Sequence, residues 1–418
     1  MDTFQVVAIL VTLTAICSYI NYRYVHLHTT IGVMLIALVM SLLIILLGDL
    51  TMGVRDWATQ LLAHVDFNHA LLQWMLGALL FAGSLHVDLN ELSRQRGAVA
   101  LLATAGTAAS MFIVAGLTRV SLPLVGLPLP MIYCLLFGAL ISPTDPVAVL
   151  AIMKTARAPK SIETRVAGES LFNDGIGVVL FVTLLGVAMH GRMDGPGQIA
   201  FTLLRQVAGG AVVGFLAGAA TYQLLKRVDN YQVEVLLTLA LVLGGYALAE
   251  ALHTSAPIAM VVAGLLIGNH GRAFAMSENT RKNLDMFWEL IDEILNAVLF
   301  LLVGVEVLVM HITHRHLFAM LLIIPAVLLA RWCSVAGAMT LLTRPGKSRR
   351  AGTAVLTWAG LRGGLSVAMA LSLPPGPMRN TIIAITYGVV IFSILIQGTT
   401  MPRFVKHYMA RGLTEDQG

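Results

Sequence analysis

Three acidic side chains lie deep within long apolar stretches of the sequence: Asp145, Glu169 and Asp174. A charged residue near the middle of a membrane-spanning helix costs about 2.5–3.5 kcal/mol on insertion scales, so such residues usually serve a function. Ser170 and Asp174 are four residues apart and share one helix face, while Glu169 and Asn173 share the adjacent face. A hydroxyl and a carboxylate on one face are hard oxygen donors, which suit a hard cation.

A permanently charged side chain, Arg362, lies within another apolar stretch. At about 1.5 Å per residue, Asp174 lies roughly 16 Å from the start of its helix, and Arg362 has a similar predicted depth. A buried arginine requires a partner. Glu169 is the first candidate, which leaves Asp145 and Asp174 for a cation.

A buried carboxylate can exchange ions without a nucleotide. Desolvation raises the pKa of a buried carboxyl group and a bound cation lowers it, so proton and cation compete for the same oxygens. If only the loaded forms cross the membrane, this competition produces antiport. The sequence has no GxxxxGK[ST] phosphate-binding motif, and no cofactor is predicted.

The composition places these residues in a membrane protein. Of 418 residues, 57% are hydrophobic and 12% are charged, against about 25% charged in soluble domains, and the mean hydropathy is +0.83. The three cysteines are far apart and suggest neither a disulfide framework nor a zinc site. Thirteen runs are long enough to cross a bilayer. These predicted spans 1 to 13 cover residues 5–22, 29–48, 69–87, 97–118, 130–152, 163–190, 198–225, 234–252, 255–270, 289–310, 316–342, 350–373 and 380–402.

The basic residues give the predicted orientation. With the N-terminus outside, the cytoplasmic loops and the adjoining span ends contain nineteen of the 27 Lys and Arg residues, and the outer loops contain five. The other three, Arg205, Arg331 and Arg362, lie inside spans. This pattern predicts a cytoplasmic C-terminus with a short tail at 403–418. Since the charge of +5 forms no clustered stripe, nucleic-acid binding is not expected.

Two spans are predicted to be interrupted. Span 5 contains Pro143 and Pro146 around Asp145, and span 12 contains glycines on both sides of Arg362. Prolines remove backbone donors and free carbonyls, and glycines loosen a helix. Spans 5 and 12 are the fifth spans of two six-helix units, 1–6 and 8–13, which indicates inverted repeats with a binding site at the paired breaks.

Three motifs together resemble the sodium/proton exchanger branch of the monovalent cation:proton antiporters, including bacterial NhaP-type proteins. They are Thr144-Asp145-Pro146, the segment Glu169-Ser170-Leu171-Phe172-Asn173-Asp174-Gly175, and Gly360-Leu361-Arg362-Gly363-Gly364. The segment 295–306 is similar to the tenth span of that family. The likeness extends from about residue 30 to residue 402.

The resemblance implies an all-helical integral membrane protein that exchanges Na+ or Li+ for H+ across the bacterial plasma membrane. It implies a homodimer, with spans 1–3 and 7–10 forming a dimerisation part and spans 4–6 (97–190) and 11–13 (316–402) forming a mobile ion-transporting core. It also implies that Asp174, Asp145, Ser170 and the backbone at Thr144 bind Na+, and that Glu169 pairs with Arg362. Neutral Asn173 implies electroneutral exchange.

One position departs from the family pattern. Relatives often have an acidic residue in span 3, where this sequence has Ala82. Ser84 or a water molecule is the expected substitute, and the preference among Na+, Li+ and K+ is left open by this difference.

Several alternatives remain at this stage. K+/H+ antiport is the first, and a passive channel is another. An intramembrane protease would need glycines before the aspartate that Asn173-Asp174-Gly175 does not provide. Arg331 is expected to bind a carboxylate or carbonyl, with Glu306 as one candidate. Asp292 and Glu293 either attract cations to the cytoplasmic mouth or complement the N-terminus of the tenth helix.

Overall fold

The computed structural model describes residues 3–47, 71–145, 160–190, 196–308, 313–342 and 346–412, with positions 53, 149, 150, 153 and 310. Within these ranges the secondary structure is helical and contains no strand. The α-helices are Thr3–Ile20, Thr29–Leu47, Leu71–Leu85, Leu89–Arg94, Arg96–Leu101, Thr107–Ser121, Met131–Ile141, Lys160–His190, Pro196–Leu225, Tyr231–Ala251, Ala256–Leu266, Arg272–Phe274, Glu278–Glu306, His314–Leu342, Lys347–Trp358, Gly364–Leu371, Pro377–Phe392 and Thr399–Gly412.

Every predicted span coincides with one or more of these helices, so the prediction of an all-helical membrane protein is confirmed. Eight helical segments in the described part of the chain are long and apolar enough to cross a bilayer by themselves. Several spans continue through π-helical turns, which lie at Asn21–Val25, Leu102–Gly106, Ile267–Gly271 and Ser393–Gly398, and one ends in the 3-10 turn Leu122–Val125. The stretch 51–68, between predicted spans 2 and 3, falls outside the described residues apart from position 53.

Two spans extend beyond their predicted bounds by ten residues or more. The helix of span 10 begins at Glu278, where the Ser277 hydroxyl accepts a hydrogen bond from the Thr280 amide as an N-cap. Its first turns are polar, so an apolar run begins only later in the sequence. Span 13 continues to Gly412, past its predicted end at 402, and Phe404 stacks on Trp358 with 5.1 Å between ring centroids.

Both predicted interruptions are present. The helix Met131–Ile141 ends before Ser142, and the backbone is non-helical through Asp145; Pro146 lies outside the described residues. Span 12 is divided into Lys347–Trp358 and Gly364–Leu371, with an irregular segment between them. Irregular backbone at membrane depth needs polar partners from protein or from a water-filled cavity. The two breaks supply these partners to each other.

Buried apolar side chains form three clusters. The largest joins spans 4, 5, 6, 11, 12 and 13 with parts of spans 2 and 10, and includes residues such as Phe137, Ile323 and Tyr387. A second joins spans 3, 7, 8, 9 and 10 around Phe81 and Trp288 and also includes Val99 of span 4 and Leu171 of span 6. A third is smaller and joins spans 1, 2, 3 and 10. The candidate site lies on spans of the largest cluster and faces spans of the second.

Candidate functional site

The two broken segments are connected by backbone and side-chain hydrogen bonds. The Asp145 amide donates to the Leu361 carbonyl at 2.8 Å. The Arg362 guanidinium donates back to the carbonyls of Ser142 and Pro143, the second at 2.8 Å. These carbonyls lie at the end of the helix of span 5. A continuing helix would pair the Ser142 carbonyl with the backbone N–H of residue 146, but that residue is proline and has no N–H. One break therefore satisfies the other.

Three polar side chains attach the span 5 break to span 6. The Asn173 amide donates to the Thr144 hydroxyl at 2.9 Å, and its carbonyl oxygen accepts from the Thr144 backbone N–H at 3.3 Å. The hydroxyls of Thr144 and Ser170 lie 2.9 Å apart. All three side chains are at least 98% buried. This network fixes the backbone at Thr144 and occupies both ends of the Asn173 amide.

Asp145 and Asp174 lie beside this network and line the same cavity. The cavity has a volume of about 850 Å³, and Thr144 also reaches its wall. Both carboxylates are half-buried, and they are close enough for their charges to interact. The structure thus places Asp145, Asp174 and Thr144 on one face of this cavity, whereas Ser170 does not line it and is hydrogen-bonded to Thr144 instead. Such a face can bind one cation or one proton.

Gly363 is the reason the Asp145 carboxylate can lie against span 12. A methyl group on Gly363 would overlap the Asp145 carboxylate, with only 2.8 Å to Cγ. The glycine therefore permits a close approach of backbone to side chain, as glycine often does near a ligand site.

The prediction that Glu169 pairs with Arg362 is wrong in this structure. Glu169 accepts hydrogen bonds from both terminal nitrogens of Arg331, one of them at 3.0 Å. Arg331 also donates to the Leu356 carbonyl at 3.1 Å. Glu169 is 1% exposed and Arg331 is 6% exposed. The physical reason is that Arg362 is already used by the freed carbonyls of span 5, while Arg331 projects from span 11 toward Glu169.

A depth argument identifies the correct arginine. Glu169 is nine residues from Lys160, or about 14 Å, and Arg331 is eleven residues from Leu342, or about 17 Å. Lys160 and Leu342 are both expected on the cytoplasmic side of the membrane, so Glu169 and Arg331 lie at nearly the same depth. Gly360 carries a second signal, because a Cβ there would lie 2.7 Å from the Arg331 Nε. The expectation that Arg331 binds a carboxylate or carbonyl is confirmed, since it binds one of each, but Glu306 is not the carboxylate.

Span 3 contributes no oxygen at the expected position. Ala82 lines the cavity with a methyl group. Ser84 is fully buried, and its hydroxyl donates to the Phe81 carbonyl of its own helix at 2.8 Å. Ser84 therefore does not replace the missing acid.

Asp292 and Glu293 do not lie at a helix N-terminus. Asp292 is fourteen residues after Glu278, about 21 Å along the helix, so an interaction with the helix dipole does not explain it. Both side chains line the cavity. Glu293 also accepts a hydrogen bond from the Thr29 hydroxyl at 3.0 Å.

One polar contact of the site has no clear signal in the sequence. The Ser393 hydroxyl accepts from the Arg362 backbone N–H at 2.9 Å and holds the span 12 break against span 13. Ser393 begins a π-helical turn, a local widening that often marks a functional site but leaves no obvious motif. Within the described residues, no three His, Cys, Asp or Glu side chains form a metal-binding group.

Comparison with known proteins agrees with this architecture. The family model for the sodium/hydrogen exchanger transmembrane region matches residues 5–407. The chain is 48% identical to the Na(+)/H(+) antiporter NhaP of Pseudomonas aeruginosa, over 99% of both chains. It is 33% identical to the Na(+)/H(+) antiporter NhaH of Halobacillus dabanensis, over 89% of this chain and 91% of the relative.

A solved structure has the same fold. The sodium proton antiporter MjNhaP1 of Methanocaldococcus jannaschii at pH 8 superposes with a TM-score of 0.77, covering 97% of this chain and 99% of that one. The sequences are 19% identical, so this likeness concerns the fold alone. The paired breaks of spans 5 and 12 and the polar network between spans 5 and 6 agree with the match over nearly the whole chain. The protein belongs to the sodium/hydrogen exchanger family.

Proposed function

We propose that this protein exchanges Na+ or Li+ for H+ across the bacterial plasma membrane. The observation that carries the proposal is the position of Asp174 and Asp145 at one cavity wall beside Thr144 and Ser170. These residues would supply the oxygen ligands for the cation, with Asp174 as the group that also takes the proton. A channel has no need for a carboxylate that titrates against its ion.

The exchange is proposed to be electroneutral, one cation for one proton. Asn173 occupies the position beside Asp174, and an amide does not ionise. Both ends of this amide are used in holding Thr144. The site then alternates between one bound cation and one bound proton, and no net charge moves in a cycle.

The Glu169–Arg331 pair is proposed to be structural. Neither side chain reaches the wall of the large cavity, whereas Asp145 and Asp174 do. The pair joins spans 6 and 11, and the Arg331 bond to Leu356 adds the first half of span 12. Arg362 has a corresponding role between spans 12 and 5. These ties would make spans 4–6 and 11–13 one body that moves relative to the remaining spans.

The test is transport by the purified protein in lipid vesicles that contain a pH-sensitive dye. With a proton gradient established, a pulse of Na+ or Li+ is expected to dissipate it. The rate should be the same with the membrane potential clamped at zero or at a negative value. Dissipation by K+ but not by Na+ would instead establish K+/H+ exchange. Proton flux without any added cation would indicate a channel.

The assembly and orientation are proposals of the same kind. We expect a homodimer through spans 1–3 and 7–10, with the N-terminus outside and the C-terminus in the cytoplasm. Light scattering of the detergent-solubilised protein gives the mass of the assembly. A C-terminal tag that a membrane-impermeant reagent reaches in intact cells would contradict the orientation.

A further inference from the structure

Asp292 is a third carboxylate on the cavity that contains Asp145 and Asp174, and it comes from a different part of the molecule. It lies on the helix Glu278–Glu306, which contributes to all three apolar clusters, whereas Asp145 and Asp174 lie on spans 5 and 6. Its side chain is half-buried, whereas the neighbouring acids Glu289 and Glu293 are exposed. Burial of a carboxylate here is unfavourable unless something interacts with it.

The Asp292 side chain is held in one orientation. The Asn296 amide donates to the Asp292 carboxylate at 3.1 Å and to its backbone carbonyl at 2.9 Å. Asn296 is itself 3% exposed and lines the same cavity. A hydrogen bond from a neutral amide does not compensate the charge of the carboxylate, and the side chain lines the cavity.

The helix that carries Asp292 is fixed one turn earlier by Trp288. The indole is fully buried, its ring centroid is 4.8 Å from that of Phe81, and its N–H donates to the Thr238 hydroxyl at 3.0 Å. Residues four apart share a helix face. Asp292 is therefore presented to the cavity from a rigid support, as a pre-organised binding group needs to be.

Asp145, which lines the same cavity, indicates what such a group could do. The charges of Asp292 and Asp145 are close enough to interact, and two like charges repel each other. A cation between them relieves that repulsion. The helix Leu71–Leu85, which contacts the same helix through Phe81, contains no acidic residue.

Asp292 is expected to act on the ion through water. In the described part of the chain, the acids do not approach one another closely enough to form a shared set of three or more metal ligands. A cavity of about 850 Å³ leaves room for an ion that retains its water. Interaction through water depends on charge more than on ionic size.

We propose that Asp292 is a positioning residue that holds the incoming hydrated cation and delivers it to Asp145 and Asp174. This inference rests on the proposed function, because it assigns a further residue to the same exchange. Asp292 then sets the apparent affinity for the cation. The maximal rate of exchange depends on other residues. The Asp292 charge raises the apparent affinity for Na+ and for Li+ equally.

The test compares Asp292→Asn with Glu289→Gln in the vesicle assay. Glu289 is a matched control, since it is on the same helix, lines the same cavity and carries the same charge, but is exposed. At an ionic strength near 0.15 M its charge is screened within about 8 Å. Asp292→Asn is expected to raise the KM for both Na+ and Li+ by about tenfold or more, with the maximal rate within about twofold of wild type. Glu289→Gln should change KM by less than about twofold.

Asp292→Glu provides the check for a merely structural effect. It retains the charge while altering the packing, so it should recover most of the affinity lost in Asp292→Asn. An unchanged KM in Asp292→Asn would overturn the inference, as would an equal rise of KM in Glu289→Gln. A loss of maximal rate that Asp292→Glu does not recover would also overturn it. These outcomes presuppose exchange by the wild-type protein, and absence of that exchange would contradict the proposed function itself.

Discussion

Glu169 and Arg331, which are 162 residues apart in the sequence, form a bidentate ion pair that is buried between spans 6 and 11. Fork-to-fork contacts of this kind specify geometry as well as energy, because a guanidinium matches a carboxylate in only a few orientations. The pair therefore defines how span 11 lies against the helix that carries Ser170 and Asp174.

Removal of one member of this pair should strongly destabilise the protein. Glu169→Gln leaves the Arg331 charge buried, and breaking a buried pair typically costs about 3–5 kcal/mol. Thermal unfolding in detergent should show a large fall in Tm. The double variant Glu169→Gln with Arg331→Met should be more stable than the sum of the single changes predicts.

The Arg272–Asp285 pair offers the control for that experiment. Its side chains are 26% and 35% exposed, and partly exposed pairs contribute about 1 kcal/mol or less. Asp285→Asn should therefore change Tm only slightly. A similar fall in Tm for Asp285→Asn and Glu169→Gln would contradict a special role for the buried pair.

Asp174→Asn should abolish exchange and leave the fold intact. Asparagine has nearly the same shape as aspartate but cannot take up a proton at neutral pH, so the exchange loses its titrating group. The rate of transport in vesicles should fall by about 100-fold or more, because every exchange cycle requires Asp174 to bind and release a proton. The elution volume and Tm should match those of wild type. Exchange at a near-normal rate would move the proton to another residue.

Arg362→Ala should reduce folding or abundance more than it alters ion affinity. The change leaves the carbonyls of Ser142 and Pro143 without their donor, and unsatisfied buried polar groups cost about 1–3 kcal/mol each. Arg362→Lys retains the charge but not the planar fork, so an intermediate effect is expected. Expression yield, Tm and the KM for Na+ are the measurements. Normal yield with a selectively changed KM would mean that Arg362 contacts the ion.

Gly363→Ala should impair exchange by displacing the Asp145 carboxylate, which the new methyl group would overlap. A rate reduction of about tenfold or more is expected, since small displacements of a positioned group have large effects. Gly337→Ala is the control, because an added Cβ there meets no atom within 4 Å. Equal rates for Gly363→Ala and wild type would show that the Asp145 position is adjustable.

Competition between proton and cation for one carboxylate predicts a simple pH dependence. Below the pKa of the site, the apparent KM for Na+ should rise by about tenfold for each unit that the pH falls, since one proton displaces one cation. The maximal rate at saturating Na+ should change less. A slope near two on a logarithmic plot of KM against pH would indicate two protons and contradict a single titrating site.

Local chemistry explains which features the sequence reveals. The breaks follow from Pro143 and the glycines around Arg362, because proline and glycine act on the backbone where they stand. The grouping of Ser170 and Asp174 follows from helical periodicity alone. The structure confirms the breaks and places Ser170 and Asp174 on one helix, Lys160–His190.

Contacts between distant helices are harder to predict. The choice of Arg331 or Arg362 as the partner of Glu169 depends on which helix lies beside span 6, and spacing along the chain does not contain that information. The same limit applies to Ser84, whose hydroxyl turns back to its own helix. The early start of span 10 was missed because its first turns are polar, although Ser277 gives the N-cap signal.

The bond between the Asp145 amide and the Leu361 carbonyl has a consequence for experiments on the site. Donor and acceptor both belong to the main chain, so alanine substitutions do not remove this hydrogen bond. Replacing residue 145 by proline would remove the donor, but it would remove the carboxylate as well. Substituting an ester for this single amide, by chemical synthesis or expanded coding, deletes the bond while leaving every side chain in place. The side chains around the two breaks can therefore differ among relatives without loss of the hydrogen bond between the two main-chain groups.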